Sequence, residues 1–519
     1  MQYLPFITPH LVDFDIISIE RYRFCSYFED KAVERTLLKS ENFLLSGRWS
    51  EGQRLLVNSF DEYNNNDKPN NTKEFYCLKL EMCRATLLLG GFDYVEASLP
   101  SLYYLVKTED QEDLAGVIAR TEETVAVMKA TQGRISEALE FQRLAAGHFL
   151  KYFTELPIET QIITATLFIL SGDYTKSYSL IEKLKGELDD IRGECPNRRL
   201  ALATLESNVL YALGKNNEAA EIILNSISEY SSNDQVSEVG IGLAKIAAIE
   251  MVRLSRYEKE RFKLLNDARQ VLPRIGTKTS EVTRLFFVSK MNIDLELSNV
   301  QSLDEIVDFL SQGLIIDQTI ESPRYCWQAK FYEVYSAFLS QGTAHIAKDP
   351  KTATALAKRV VQFCESREGG EGINTLISIA HLATIESDNG TDENALSVVN
   401  KCFETAFEKY GIESVITRQL LSYWAFIALG REMQALIVDR FIKIFDREVL
   451  DSWLSSDVPI STTDVMLELF WLIALRSHEN ESYDAEQFDK LKIKVLHEWG
   501  DGHLLAHVTE IIQEAIRES

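Results

Sequence analysis

The sequence predicts an all-α chain built from antiparallel helix pairs stacked side by side into a solenoid. Three observations carry that expectation. Glycine and proline are scarce for 519 residues, 24 and 10, which disfavours a chain of tight β turns and favours long helices with short connections. A glycine-type turn recurs along the chain, and a small residue keeps a fixed distance ahead of it. Self-similarity at such a period is the mark of a stacked array.

The turn pattern is a Gly followed two places on, in most copies, by an aromatic or apolar residue and five places on by a small one. It reads Gly47-Arg48-Trp49-Ser50-Glu51-Gly52, Gly133-Arg134-Ile135-Ser136-Glu137-Ala138, Gly172-Asp173-Tyr174-Thr175-Lys176-Ser177 and Gly214-Lys215-Asn216-Asn217-Glu218-Ala219. A shifted copy, Phe92-Asp93-Tyr94-Val95-Glu96-Ala97, has its Gly one place early at Gly91. Weaker copies begin at Ser255, Ser298, Gly342, Gly390 and Gly430, and the nine steps from 47 to 430 average near 43 residues. That spacing predicts about ten units.

The second, independent position lies seven residues before each turn. It holds Ser40, Ala85, Ala126, Ala165, Ser207, Ala248 and Ala383, with departures at Met291 and Tyr335. A small side chain there lets two helices approach closely, and the turn Gly lets the backbone leave the first helix and double back. The flanks read as helix by period as well. Ile162, Ile163, Ala165, Leu167, Phe168 and Leu170 precede the Gly172 turn, and Tyr178, Leu180, Ile181 and Leu184 follow it, mostly three or four places apart. The polar run Asn64 to Asn71 and the stretch Glu365 to Gly372, before a helix opening near Ile373, read as connections.

These features resemble the tetratricopeptide-repeat superfamily in its longer form, with units of roughly 40 residues, as in kinesin light chains and the sensor arms of some bacterial signalling ATPases. The resemblance rests on the small residue of the first helix, the turn (best at Gly172-Asp173-Tyr174) and the small residue opening the second helix. It is clearer over 37–275 and degenerate over 276–480, with capping segments expected at 1–36 and 481–519. The Trp and Pro usual at that family's unit boundaries are mostly absent. The resemblance implies a right-handed α-solenoid whose first helices line a concave face. Residues 13, 10, 6 and 3 places before the turn would point into it, among them Arg120, Glu123, Thr166, Thr204, Asn208, Tyr211, Lys245, Asn292 and Tyr332. Amides and hydroxyls at such positions would satisfy the backbone of an extended peptide while rings cover its side chains. Asn208 falls where such repeats often carry a peptide-clamping Asn. The implied function is that of a non-enzymatic protein- or peptide-binding adaptor, scaffold or sensor, in signalling or immune-type surveillance, needing no cofactor.

Charge narrows the partners. With 54 Lys+Arg against 79 Asp+Glu the net charge is -25, so a phosphate backbone meets repulsion unless a basic stripe overcomes it. The nearest approach to one, Arg198-Arg199 with Lys183 and Lys185, sits beside Asp189, Asp190 and Glu194. The expected partner is a protein or peptide, preferably basic, with no direct nucleic-acid contact; a second copy of the chain is the alternative. Seven scattered Cys with no CxxC pair fit small buried hydrophobes in a reducing cytosol. The longest uncharged stretches, 334–347 and 372–385, are too short to span a bilayer, and the first residues lack a basic signal-peptide region. A cytoplasmic location is expected.

Catalytic chemistry leaves thin traces. Gly276-Thr277-Lys278-Thr279 resembles only the tail of a phosphate loop. His503 and His507, four apart on one helical face with His497 upstream, could together ligate a metal, and a metal-dependent hydrolase in the C-terminal half is one alternative function. An architectural subunit is another. Surface capping histidines explain the cluster equally well, so no metal site is assigned. Tyr423, Trp424, Phe426, Phe470 and Trp471 form apolar helical faces; packing between units is the simpler reading, an exposed docking patch the other.

Overall fold

A computed structural model describes residues 30–45, 48–65, 73–108, 114–152, 156–190, 196–213, 215–232, 236, 238–252, 255, 257, 260–275, 286–291, 323, 326–342, 347–390, 394–412, 414–445, 462–479, 485–499 and 509. The described residues are helical, with no strand among them. In chain order the helices are α1 (Lys31–Leu45), α2 (Trp49–Asn65), α3 (Lys73–Leu88), α4 (Phe92–Thr108), α5 (Ala115–Thr131), α6 (Ile135–Tyr152), α7 (Ile158–Leu170), α8 (Tyr174–Asp190), α9 (Pro196–Ala212), α10 (Asn216–Tyr230), α11 (Glu238–Met251) and α12 (Glu260–Ile275). There follow α13 (Cys326–Gln341), α14 (Pro350–Glu368), α15 (Ile373–Asp388), α16 (Ala395–Tyr410), α17 (Val415–Gly430), α18 (Gln434–Phe445), α19 (Thr462–Glu479) and α20 (Ala485–Trp499). The expected start of a helix at Ile373 is where α15 begins. The segment 1–29, the turns at Gly214 and Ser298, and most of 481–519 lie outside the described residues.

The turns at Gly133, Gly172, Gly342 and Gly390 fall where the sequence spacing places them. Ser40, Ala85, Ala126, Ala165, Ser207, Ala248 and Ala383 are all buried. In two pairs the closest approach carries the same bond: Ser40 Oγ donates to the Gly52 carbonyl at 3.2 Å, and Ser177 Oγ to the Ala165 carbonyl at 2.9 Å. A small residue seven before the turn therefore touches a small residue five after it, with no bulk between the backbones.

The turns themselves are Schellman caps. At the end of α7 the Asp173 N–H donates to the Phe168 carbonyl and the Gly172 N–H to that of Ile169. The same pair of bonds ends α5 at Gly133 and Arg134, and α3 at Gly90 and Gly91. Gly90, Gly133, Gly172 and Gly390 take the positive φ this cap requires, and Gly342, also at positive φ, ends α13 with its N–H on the Phe338 carbonyl, the simpler left-handed cap. Two anchors move by comparison with the sequence: the first from 92 to Gly90, and the last from Gly430 to Glu432, whose φ is 57° and whose neighbour Met433 donates to the Ala428 carbonyl.

Odd-numbered helices touch their odd neighbours in sequence, α1 through α11 and again α13 through α19, while the even helices α2 to α10 and α14 to α18 each pack between two odd ones, α12 packs on α11 and α20 on α19. Every pair thus has a turn edge, where its two helices join, and a loop edge, where one pair passes to the next. The array also folds back on itself. Ile373 and Tyr410, on the loop edge of α15 and α16, stand against the turn at Gly172, where a Cβ would lie 3.3 Å from each of them. The rings of Tyr174 and Tyr410 are 6.1 Å apart. Ser414 Oγ, at the loop edge of α17, donates to the Ala212 carbonyl at the end of α9, 3.1 Å away and 202 residues earlier. Gly172 and Ile373 are 201 places apart, so at both contacts the end of one helix pair seats on a loop edge some 200 residues on, with Tyr410 a little further along the chain. Helices α6 and α14 meet in the same return, and one apolar cluster runs through α7–α9 and α14–α20.

Two substitutions test this packing. Gly172→Ala combines a left-handed backbone with a crowded Cβ and should lower unfolding stability in urea by about 2 kcal/mol; native-like stability would contradict the edge contact. Glu432→Gly relieves a strained φ and should raise stability by about 0.5 kcal/mol.

Candidate binding surface

The residues that the resemblance assigns to a concave groove can now be placed. Thr166, Thr204, Asn208 and Tyr211 are buried, and three of them bond within their own helices: Thr166 Oγ1 to the Ile162 carbonyl at 3.0 Å, Thr204 Oγ1 to Leu200 at 2.8 Å, Asn208 Nδ2 to Thr204 at 3.0 Å. They line no open groove in this arrangement. The cause is packing: α7 and α9 each touch an odd helix on both sides as well as their even partners, and α9 meets α17 besides. Lys245 is half-exposed and paired with Asp267 at 2.9 Å. Tyr332 is half-buried beside Phe331. Asn292 lies outside the described residues.

Arg120 and Glu123 are brought together, but as part of a buried polar seam. Arg120 Nη1 reaches Glu123 Oε2 at 2.7 Å with its guanidinium over the Phe149 ring, and Glu123 accepts from Thr160 Oγ1 at 2.8 Å. One helix further on, Arg198 meets Glu159 at 2.5 Å, both buried. The basic group near 183–199 is neutralised likewise: Lys183 pairs with Glu187, Lys185 with Glu182 and Glu206, and Arg199 with Asp189.

A different face is open. Counting 13, 10, 6 and 3 places back from Glu432, the residue that holds the positive φ, gives Gln419, Ser422, Phe426 and Leu429 on α17. Gln419, Ser422 and Leu429 are half-exposed, and Phe426 is 43% exposed. The opposite side of α17 is core: Leu420, Trp424 and Ile427 are buried, and the Arg440 guanidinium of α18 lies 4.4 Å from the Trp424 ring and 4.6 Å from that of Phe403. Burial pushes the Arg440 pKa down against the pull of Glu404, so the cation is held by ring faces. Phe470 of α19 is buried with its ring 6.4 Å from that of Phe426. Of the aromatic group, Trp424, Phe470 and Trp471 serve the core and Phe426 faces out. Ser422 donates to the Gln419 carbonyl at 2.8 Å, which leaves its oxygen able to accept. The sequence held one signal for this face: Ala425, seven places before Glu432 and fully buried, keeps the phase that Tyr423 breaks when Gly430 is taken as the turn.

Reactive groups are enclosed. Burial pushes the Cys83 thiol up to about 12 and that of Cys402 to about 11, so both stay protonated at neutral pH. Cys77 and Cys364 are buried too. Between α13 and α15, Ser336 Oγ lies 2.9 Å from His381 Nε2 and donates to the Glu333 carbonyl at 2.7 Å. With the hydroxyl proton committed to its own helix, the pair is a tie between helices and not an activated nucleophile. Among the described residues no three metal-binding side chains cluster; His503 and His507 and the Gly276–Thr279 stretch lie outside them. No helix among them is long and apolar enough to cross a membrane.

No protein-family model matches the chain, and no curated protein matches it.

His381 supplies a pH test. As a whole residue it is only half-buried, yet its ring is packed densely enough that lost hydration dominates and lowers its pKa, with Lys330 adding to the effect and Glu333 opposing it. The unfolded chain takes up this proton near pH 6.5 and the folded chain resists it. Stability should therefore fall as pH drops below about 6.5. In His381→Gln that part of the stability–pH curve should flatten; an unchanged slope would show that His381 is not its source.

Proposed function

We propose that this chain is a non-enzymatic adaptor or scaffold of the tetratricopeptide-like kind, a right-handed solenoid of about ten units that captures a protein segment on the open face of α17. Exposure of Phe426, set among Gln419, Ser422 and Leu429 at the groove phase of its unit, is the observation that carries this reading. A ring over a firmly held core offers an anchor for one apolar side chain, while the neighbouring amide and hydroxyl suit the backbone of an extended segment.

The acidic balance, -25 at neutral pH, favours a basic segment and makes encounter sensitive to salt. Cytoplasmic signalling or surveillance is the setting in which such an adaptor would work.

The test is capture on the immobilised chain, first at low and then at raised salt, followed by affinity measurement with the recovered partner. Phe426→Asp should leave the far-ultraviolet circular dichroism unchanged and weaken binding by about 2 kcal/mol, roughly thirtyfold. Equal affinity of the variant and the parent chain would refute the α17 assignment.

A further inference from the structure

Where the array returns on itself, the side chains that meet stand at helix ends. Gly172 lies in the turn between α7 and α8, Tyr174 opens α8 and Ala212 closes α9. Opposite them Ile373 opens α15, Tyr410 closes α16 and Ser414 holds the N-cap position of α17. A Cβ on Gly172 would lie 3.3 Å from Ile373 and from Tyr410, the Tyr174 and Tyr410 rings are 6.1 Å apart, and Ser414 Oγ donates to the Ala212 carbonyl at 3.1 Å. Within a pair the helices meet inside their lengths, as Ser177 and Ala165 do. Contacts between helix ends can therefore part while every pair stays closed.

The join along the chain is thin at α13, which stands between a first course of helices, α1 to α12, and a second, α14 to α20. Among the described residues, Phe331, Val334 and Phe338 of α13 fall in one small apolar cluster and Leu339 in another, both separate from the two large ones. A place with a small apolar core yields before its neighbours do. Acidic residues outnumber basic ones in the sequence both before α13 and after it, so the two courses repel across the return.

We propose that the return contact is a clasp: the two courses part there by turning about α13, each keeping its helix pairs, and salt closes them by screening their repulsion. Tyr174 and Ile373, buried in the closed form, meet water in the open one, so the chain masks an apolar edge by folding over it. The closed form gains this burial and the open form relieves the repulsion, which is the difference in free energy that lets ionic strength shift one population into the other.

Small-angle X-ray scattering over a series of salt concentrations, extrapolated to zero protein concentration, measures the opening. The radius of gyration should fall as salt rises, with the far-ultraviolet circular dichroism constant. Tyr410→Asp sets a charge against the Tyr174 ring and should hold the radius at its low-salt value in every buffer. Tyr410→Ala, which removes the ring without adding charge, should move closure to higher salt, and Phe407→Asp, at an exposed position of the same helix, should behave as the parent chain does. A parent radius that does not respond to salt, or a Tyr410→Ala chain that closes at the same salt as the parent, would overturn the proposal. So would loss of the helical signal in both Tyr410 variants, because the contact would then belong to a single cooperative core.

Discussion

Everything in this fold depends on two helices being allowed to come close at one point. Where Ala165 faces Ser177, and Ser40 faces Gly52, only hydrogen atoms and a hydroxyl separate the backbones. Close approach there brings the longer side chains on either side into contact, and dispersion among many atoms then holds the pair. A leucine at such a point would push the rods apart and separate those neighbours too. The Schellman turn is subordinate to this contact, since it only has to deliver the second helix at the angle the first demands.

The same economy explains the return of the array. Its turn edges are short and glycine-bearing, so another course of helices can approach them closely, and Tyr410 and Ile373 use the space a side chain on Gly172 would have filled. Loop edges supply the bulk. Ser414 illustrates the polar side of the arrangement: it satisfies a carbonyl at the end of α9 that would otherwise be an unpaired helix terminus. Apolar burial and terminus satisfaction are thus met by one surface, and the interior cluster becomes continuous across segments far apart in the chain.

Fold class and pair spacing were legible in the sequence because they rest on local matters, the size of one side chain and the handedness of one φ. Buried Ala126, Ala165 and Ala248 and the start of α15 at Ile373 follow from these alone. The proposed binding face was not. Asn208 and Thr204 occupy the expected positions on α9, yet what covers them includes α17, a contact between segments some 200 residues apart that no local pattern announces. The α17 face was hidden for another reason: a glutamate occupies the left-handed position, and the nearby Gly430 drew the count two places off. Local chemistry predicted where glycine is favoured, and one turn bears the strain of doing without it.

The buried pair of Arg198 with Glu159 joins neighbouring odd helices. Helix pairs built on one small-residue and turn pattern invite mispairing during folding, since α9 could stack on the wrong neighbour with small and apolar residues matched. Such a skipped rung would strand a guanidinium and a carboxylate in an apolar layer, a far larger penalty than any loss of fit. The ion pair therefore acts less as an adhesive than as a key that admits one partner, which lets a chain of look-alike hairpins assemble in a single order.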